Sequence, residues 1–127
     1  MCQMLLSINP EHVENILNGT KLYEFRKVRC KADVDEIIIY ATAPQKMVVA
    51  KAEIEEIIVD DVIEVWRQTS AHAGISYDFF KKYFKGKKKA VAYKLGKIEA
   101  YNEPRSLADY GVEFAPQSFI YIEATAH

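Results

Sequence analysis

The chain has 127 residues, 50% of them hydrophobic, and carries 17 basic against 18 acidic side chains, for a net charge of −1. That length suits one cooperative domain with its own core and is short for two, so we expect a single domain over residues 1–127. A near-neutral balance argues against a protein that coats polyanions generically, although a local basic patch could still bind nucleic acid.

The expected localisation is cytoplasmic, without a membrane partner. No apolar run reaches the roughly 18 residues of a membrane span, and no basic segment precedes an apolar stretch at the start, as a secretory signal would require. Cys2 and Cys30 form neither a Cys-x-x-Cys pair nor a disulfide framework, so we interpret both as free thiols in a reducing compartment.

The first elements are a strand and a short helix. Met4–Ile8 is an apolar run typical of a buried strand. Asn9 suits the N-cap of a helix, and Pro10 suits its first position, where a missing N–H costs nothing. One apolar face follows at Val13, Ile16 and Leu17. Gly19 should end the helix, because a positive φ costs glycine little.

The segment after this helix collects three charged side chains. From residue 20 the chain should extend, so Glu24 and Arg26 point to one face while Tyr23 and Phe25 point to the other. Lys21 leaves from the turn beside them. The three charges could converge on an anionic, hydrogen-bonding ligand such as a nucleotide. The alternative is a solvated surface pair worth about 0–1 kcal/mol.

Binding is favoured over catalysis for this segment. Arg26 would offer a planar fork to a phosphate or a base edge, Lys21 a point charge, and Glu24 an acceptor for an exocyclic amine. An acid–base role for Lys21 would need its pKa lowered by burial or by Arg26, whereas Glu24 would act in the opposite direction.

The rest of the chain predicts strands with helices between them. Ile37–Tyr40 reads as a strand buried on both faces, and Met47–Val59 as a strand long enough to need a bend or bulge. Asp61 with Glu64 resembles a capping box before a helix. Ser76 should cap a second helix, whose rings we expect to pack on the barrel rather than stack on bases. These rings are Phe79, Phe80, Tyr83 and Phe84.

The C-terminal part predicts two further strands and a long connection. Lys89–Leu95 and Phe119–Ile122 are the strands, and residues 102–118 connect them. Leu107, Tyr110 and Phe114 should pin that connection to the core. About six strands with two to three flanking helices make a mixed β-barrel of the α+β class.

A basic run covers Lys81–Lys97, with eight of the basic residues and no acid. Such a run is usually a solvated face. Interleaved with Tyr93 at a barrel edge, it could also follow a phosphate backbone. The charges alone leave both alternatives open.

The sequence predicts neither a metal site nor a cofactor. His12, His72 and His127 are scattered, and no cysteine or histidine pair has zinc-like spacing. We place His12 on the exposed side of the first helix. No glycine-rich phosphate loop and no nucleophile elbow is present.

The pattern Gly-x-Lys-x-x-Glu-x-Arg, at Gly19, Lys21, Glu24 and Arg26 directly after an amphipathic helix, resembles the signature of the ASCH domain family, a branch of the PUA-like folds. The likeness extends from residues 5–10 to residues 115–119. The resemblance implies a small PUA-like β-barrel with a cleft beside this loop, proposed in the family to bind RNA or nucleotides.

The resemblance also implies an enzymatic alternative. Amidohydrolases of this type act on acylated cytidine, with a catalytic lysine that would fall on Lys21 and a threonine where this chain has Glu24. They also use a glutamate near residues 71–74, which hold no carboxylate here, although His72 could serve as a base. Other relatives are suggested to cleave RNA, which would require His72 or Lys21 to meet Tyr93.

Further cleft candidates lie at predicted strand ends. Tyr40 and Thr42 end or border a strand, as does Ser7, and Ser118 leads into the last one with Gln117. Lys46 follows a turn and could contact phosphate. For each of these a purely structural role is equally expected.

The leading hypothesis is an RNA- or nucleotide-binding protein of RNA metabolism or transcription-linked regulation, acting through Lys21, Glu24 and Arg26. A hydrolase for a modified nucleoside or for RNA is the second. A protein-interaction module with a vestigial cleft is the third.

Overall fold

The structure, a computed structural model, describes residues 2–31 and 33–123. The predictions for the side chain of Cys2 and for His127 lie outside the described residues. Six strands form one sheet in the order β2-β5-β4-β3-β1-β6. The strands are β1 (Cys2–Ile8), β2 (Tyr23–Arg26), β3 (Val34–Ala41), β4 (Met47–Asp61), β5 (Lys89–Arg105) and β6 (Phe119–Glu123). The helices are α1 (Pro10–Leu17), α2 (Val62–Thr69) and α3 (Tyr77–Tyr83), with 3₁₀ turns at Ser70–His72 and Leu107–Tyr110.

The sheet is mixed and strongly curled. β1 and β3 run parallel, and the other neighbours are antiparallel. Register shifts interrupt the pairing of β4 with β5 at three places, which confirms the bend predicted for this long strand. The two edge strands, β2 and β6, come close enough for Arg26 of β2 to reach Ser7 and Ser118 beside β6. The result is a half-barrel of the α+β class, as the sequence indicates.

Three apolar clusters stabilise the half-barrel. The inner face holds the largest one, which includes Leu6, Ile39 and Tyr93 together with Val13 and Ile16 of α1. On the outer face, α2 and α3 cover β2 and β5 through rings such as Phe80. The segment after β5 covers the other half of that face, over Tyr40 and Leu5. α1, β2 and α3 are therefore held in place by core packing.

Two of the three N-cap residues predicted from the sequence make the expected cap hydrogen bond. Asn9 accepts a hydrogen bond from the N–H of Glu11, and Ser76 accepts one from Phe79, as predicted. The predicted capping box at Asp61 is wrong, because this side chain makes no cap hydrogen bond. Its carboxylate instead accepts a 2.8 Å hydrogen bond from Lys89 across the β4–β5 pair.

The connection before β6 is shorter than predicted. β5 continues to Arg105 because its second half pairs with the start of β4, for example Ala100 with Ala50. Tyr110 is buried beneath the 3₁₀ turn as expected, but Phe114 is 80% exposed and does not pin the connection. No helix within the described part of the chain combines the length and apolarity needed to cross a bilayer.

Two phenylalanines that the sequence assigns to the core should differ sharply on truncation. Phe80 is 1% exposed and packs against Phe25, Trp66 and Phe84 at ring-centroid distances of 4.8–5.2 Å. We expect Phe80→Ala to lower the free energy of unfolding by about 3–5 kcal/mol. Phe114→Ala should change it by less than about 0.5 kcal/mol. Urea unfolding measures both, and equal losses would contradict the packing described.

Candidate functional site

A cleft of about 270 Å³ opens where the end of β1, the start of α1, β2 and α3 meet. One wall is polar and the facing wall carries rings. The polar and charged lining residues are Ser7, Asn9, Glu11, His12, Lys21, Glu24 and Arg26, and the apolar and aromatic ones are Ile8, Phe25, Ile75, Phe79 and Tyr83. The signature segment therefore contributes four positions to a concave site.

Lys21 is the most buried charge of the cleft. Its side chain is 2% exposed, its Nζ donates a 3.1 Å hydrogen bond to the carbonyl of Ala73, and Glu24 Oε1 lies 3.9 Å from it. The Nζ also sits 4.8 Å from the centroid of the Phe25 ring. Burial lowers the pKa of Lys21 below its ordinary 10.5; Glu24 raises it and Arg26 lowers it further. The site thus holds a desolvated ammonium that gains from an anionic partner.

The loop before α3 approaches the backbone of Lys21 very closely. Gly74 has a φ of +70°, and a Cβ at this position would clash with Cα, Cβ and Cγ of Lys21. The N–H of Leu22 is also bonded to the carbonyl of His72 at 2.9 Å. Glycine is required here both for its φ and for the close approach, so the loop fixes where the ammonium lies.

Glu24 and Arg26 form a partly buried ion pair. Arg26 donates from Nε and Nη2 to Glu24 Oε2, at 3.1 and 2.8 Å, and also from Nη2 to the carbonyl of Ser7 at 3.0 Å. Its Nη1 donates to Ser118 Oγ at 3.2 Å. The side chains of Glu24 and Arg26 are 8% and 11% exposed, so the solvated surface pair considered from the sequence is not what forms.

The opposite wall comes from α3. Phe79 is 47% exposed at the cleft, and its ring meets that of His12 edge to face at 5.2 Å. Tyr83 is half-buried one helical turn later, with the Nζ of Lys27 4.6 Å above its ring. Only Phe80 and Phe84 among the four predicted rings of α3 are buried in the core. Phe79 and Tyr83 leave accessible ring surface on the cleft.

His12 lies in the cleft and not on an exposed helix face as predicted. Its Nδ1 is buried and has no hydrogen-bond partner among the described residues. Burial lowers the pKa of His12 below 6.5, and the nearby charge of Lys21 lowers it further. The imidazole is therefore neutral near pH 7, within the same cavity as the buried ammonium.

The structure separates the remaining sequence candidates. Ser118 reaches the cleft through Arg26, whereas Tyr40 is 5% exposed in the outer cluster with Leu5 and Tyr110. Thr42 borders the cleft only through its backbone, whose N–H is bonded to the carbonyl of Ile8. Lys46 is exposed in the β3–β4 turn and does not line the cleft.

The histidine chosen from the sequence does not contribute its side chain to the cleft. His72 is exposed at the end of a 3₁₀ turn, and only its carbonyl supports the site. Tyr93 faces the inner core, so the meeting of His72 or Lys21 with Tyr93 that RNA cleavage would require does not form. Sequence reasoning missed His12, Gly74 and Phe79. The one available signal was the place of His12 in the first turn of α1, next to the strand end that carries Ser7.

No group of three or more potential ligands among the histidines, cysteines and carboxylates of residues 2–31 and 33–123 could hold a metal ion. The cleft offers the chemistry of its own lining side chains. It combines cation, carboxylate, neutral imidazole and ring surface.

The close approach of Gly74 to Lys21 gives a stability prediction with a built-in control. Gly19 has a similar φ of +87° but open space where a methyl group would lie, so Gly19→Ala should cost only the backbone term of about 1–2 kcal/mol. Gly74→Ala should cost at least about 1 kcal/mol more, because the methyl overpacks Lys21. Chemical unfolding of both variants measures the difference, and equal costs would show that this contact is not tight.

Both the sequence and the fold of this chain resemble those of known proteins. The sequence model of the ASCH domain matches residues 6–101. A protein named ASCH domain-containing ribonuclease, from Zymomonas mobilis, is 35% identical over 94 residues, which are 73% of this chain and 64% of that protein. The crystal structure of ASCH from Zymomonas mobilis superposes with a TM-score of 0.86 at 29% identity, covering 96% of this chain and 88% of the other.

Two curated proteins of Ureaplasma parvum serovar 3 are also similar over 94% of this chain. They are ATP synthase subunit alpha, at 27% identity, and large ribosomal subunit protein uL22, at 26%. This chain spans only 15% and 39% of their respective lengths. The match to the ASCH sequence model covers well over half of the chain, Lys21, Glu24 and Arg26 of the signature line the cleft, and the chain belongs to the ASCH domain family.

Proposed function

We propose that the protein binds single-stranded RNA and holds one nucleotide in the cleft. The observation that carries this proposal is the pairing of two unlike walls. Lys21 and Glu24 line one wall with charge, and Phe79 and Tyr83 line the other with rings. A nucleotide has a charged group, a hydrogen-bonding edge and an aromatic face, and single-stranded nucleic acids are bound by this combination of cations and rings.

The size of the cleft suits one nucleotide of a single-stranded RNA. Its volume of about 270 Å³ is close to the lower end of small-ligand pockets, about 300–1,000 Å³. A duplex is far too wide to enter, whereas an unstacked nucleoside is of the right order. Stacking of a base on an exposed ring such as Phe79 contributes about 1–3 kcal/mol.

The hydrogen bonds of Arg26, Lys21 and Glu24 suggest roles that differ in part from those expected from the sequence. Arg26 uses its fork on Glu24 and on the carbonyl of Ser7, so it positions Glu24 and does not serve as the main phosphate ligand. Lys21 makes one described hydrogen bond, to Ala73, and can donate to a phosphate or a base oxygen. Glu24 Oε1 makes no hydrogen bond to Arg26 and suits an exocyclic amine.

The relatives support an RNA ligand. The Zymomonas mobilis protein with 35% identity carries the word ribonuclease in its name. A ribonuclease must first bind RNA, and binding is the part of that activity that the cleft of this chain explains most directly.

Replacing Lys21 by methionine should separate binding from stability. Because burial disfavours the charged ammonium, we expect the free energy of unfolding of Lys21→Met to stay within about 1 kcal/mol of the parent or to rise. Loss of a charge-assisted hydrogen bond worth about 1.5–3 kcal/mol should weaken binding of a trinucleotide RNA roughly 10- to 100-fold. Calorimetric titration and urea unfolding measure the two quantities.

Lys51→Met provides the matched control. Lys51 lies on β4 beside Glu36, outside the cleft, with 36% of its side chain exposed. This variant should bind the trinucleotide like the parent. Parent-like affinity in Lys21→Met would contradict the proposal. Tighter binding of acetylcytidine than of the trinucleotide and of free cytidine would replace RNA by a modified nucleoside as the ligand.

Cleavage of the bound RNA is a second candidate function, favoured by the neutral His12 beside Lys21. His12 could accept the proton of a ribose 2′-hydroxyl while the 2′-oxygen attacks the adjacent phosphorus. Lys21 could stabilise the charge on the phosphoryl oxygens and give a proton to the leaving 5′-oxygen as the P–O5′ bond breaks. The products would be a 2′,3′-cyclic phosphate and a free 5′-hydroxyl. The lowered pKa of His12 keeps the imidazole in its unprotonated, base form near neutral pH, and the lowered pKa of Lys21 makes the ammonium a stronger acid.

The pH dependence of cleavage tests this second function. Because the pKa of His12 is lowered, the base form persists at pH 6.5, and the rate should fall only at lower pH as the imidazole is protonated. His12→Gln should lose about 10²–10⁴-fold in rate while still binding RNA. His72→Gln, altered on the exposed 3₁₀ turn, should cleave like the parent. Parent-like cleavage by His12→Gln would refute the assignment of the base.

A further inference from the structure

We propose that a basic platform next to the cleft binds the phosphates of nucleotides that flank the one inside it. The platform consists of the exposed cations of residues 27–29 and 81–88, namely Lys27, Arg29, Lys81, Lys82, Lys85, Lys87 and Lys88. This inference rests on the proposed function, because it extends the same RNA beyond the cleft. It assigns a partner to a surface that the cleft residues do not include.

The fold brings the two basic segments together. β2 pairs antiparallel with β5, and Arg26 at the end of β2 lies opposite Val91 near the start of β5. The chain that leaves β2 therefore runs beside the chain that enters β5. Neither segment contains an acidic residue, so the two adjacent segments are locally basic although the whole chain carries a net charge of −1.

A direct contact joins the platform to the cleft. The Nζ of Lys27 lies 4.6 Å from the ring centroid of Tyr83, and Tyr83 lines the cleft. Lys27 also follows Arg26, another lining residue, in the chain. A strand whose base stacks in the cleft would leave past this rim and pass over the lysines at the end of α3. One continuous ligand can therefore contact both surfaces.

Hydrogen bonds to the rest of the fold hold the backbone of both platform segments in place. The hydroxyl of Tyr93, which is completely buried, accepts a 2.8 Å hydrogen bond from the N–H of Cys30 and donates to the carbonyl of Val28 at 3.2 Å. On the other segment, Lys87 donates its N–H to Phe84, and Lys88 accepts from Val62. A cation on such a fixed segment loses less entropy on binding than one on a mobile loop.

The neighbouring lysine is not part of the platform. Lys89 donates a 2.8 Å hydrogen bond to Asp61, so its charge is already compensated. The platform cations are exposed, and a polyanion would bind them by displacing counterions. For single strands this gives a salt dependence with a slope of about −0.7 per phosphate neutralised. Length and salt dependence are therefore the properties that reveal the platform.

The test compares RNAs of two lengths in two charge-matched double variants. Lys85→Gln/Lys87→Gln removes two exposed platform cations. Lys51→Gln/Lys97→Gln removes two cations from a separate hollow lined with Glu36, Glu53 and Glu99. For a single-stranded RNA of about ten nucleotides, we expect the platform variant to bind at least about tenfold more weakly, with a salt slope smaller by about 1.4. A dinucleotide should bind both variants like the parent.

The two RNA lengths also distinguish binding by the platform from binding by the cleft. Equal losses in both double variants would overturn the platform, as would weaker binding of the dinucleotide to Lys85→Gln/Lys87→Gln. An unchanged salt slope in the platform variant would overturn it too, because the two lysines would then displace no counterions. If the nucleotide site in the cleft is wrong, the result differs, because Lys21→Met would then bind the dinucleotide like the parent.

Discussion

The ion pair between Glu24 and Arg26 is the interaction on which the site depends. The pair sits on an edge strand of an open sheet, and Arg26 reaches the carbonyl of Ser7 and the hydroxyl of Ser118 near the opposite edge. Backbone hydrogen bonds cannot close the half-barrel there, so one side chain spans the gap. A partly buried pair repays its desolvation only with well-formed hydrogen bonds, and four described ones hold this guanidinium.

The same pair gives Lys21 its unusual environment. Glu24 offers one oxygen to Arg26 and turns the other toward Lys21, at 3.9 Å. Burial still dominates, and it lowers the pKa of Lys21 despite the carboxylate. The anionic ligand that we propose would compensate for this charge. The stability of the protein and its affinity for an anion are thus expected to pull in opposite directions at this one residue.

The sequence predicted the features that depend on residues close together in the chain. Asn9 and Pro10 start α1, Gly19 follows its end with a positive φ, and strand alternation places Glu24 and Arg26 on one face. These features depend on backbone conformation and on neighbours in the chain. The site residues that were missed depend on tertiary packing.

His12 shows the limit most clearly. On a helical wheel of α1, His12 lies four residues before Ile16, at the border of the apolar face, and nothing in α1 indicates that Phe79 of α3 will cover it. The close approach of Gly74 to Lys21 likewise joins two loops that are far apart in the chain. Tyr40 ends a strand as predicted, but the strand turns its ring to the outer cluster. Pattern alone could not decide between the two faces of a curled sheet.

The most direct test of the central claim is a crystal structure of the protein with a trinucleotide RNA. We predict one nucleotide between Lys21 and the rings of Phe79 and Tyr83, with an oxygen of the RNA in hydrogen-bond range of Lys21 Nζ and the Glu24–Arg26 pair intact. An empty cleft with the RNA bound elsewhere would contradict the account. So would a complex in which Arg26 has left Glu24 to bind the phosphate itself.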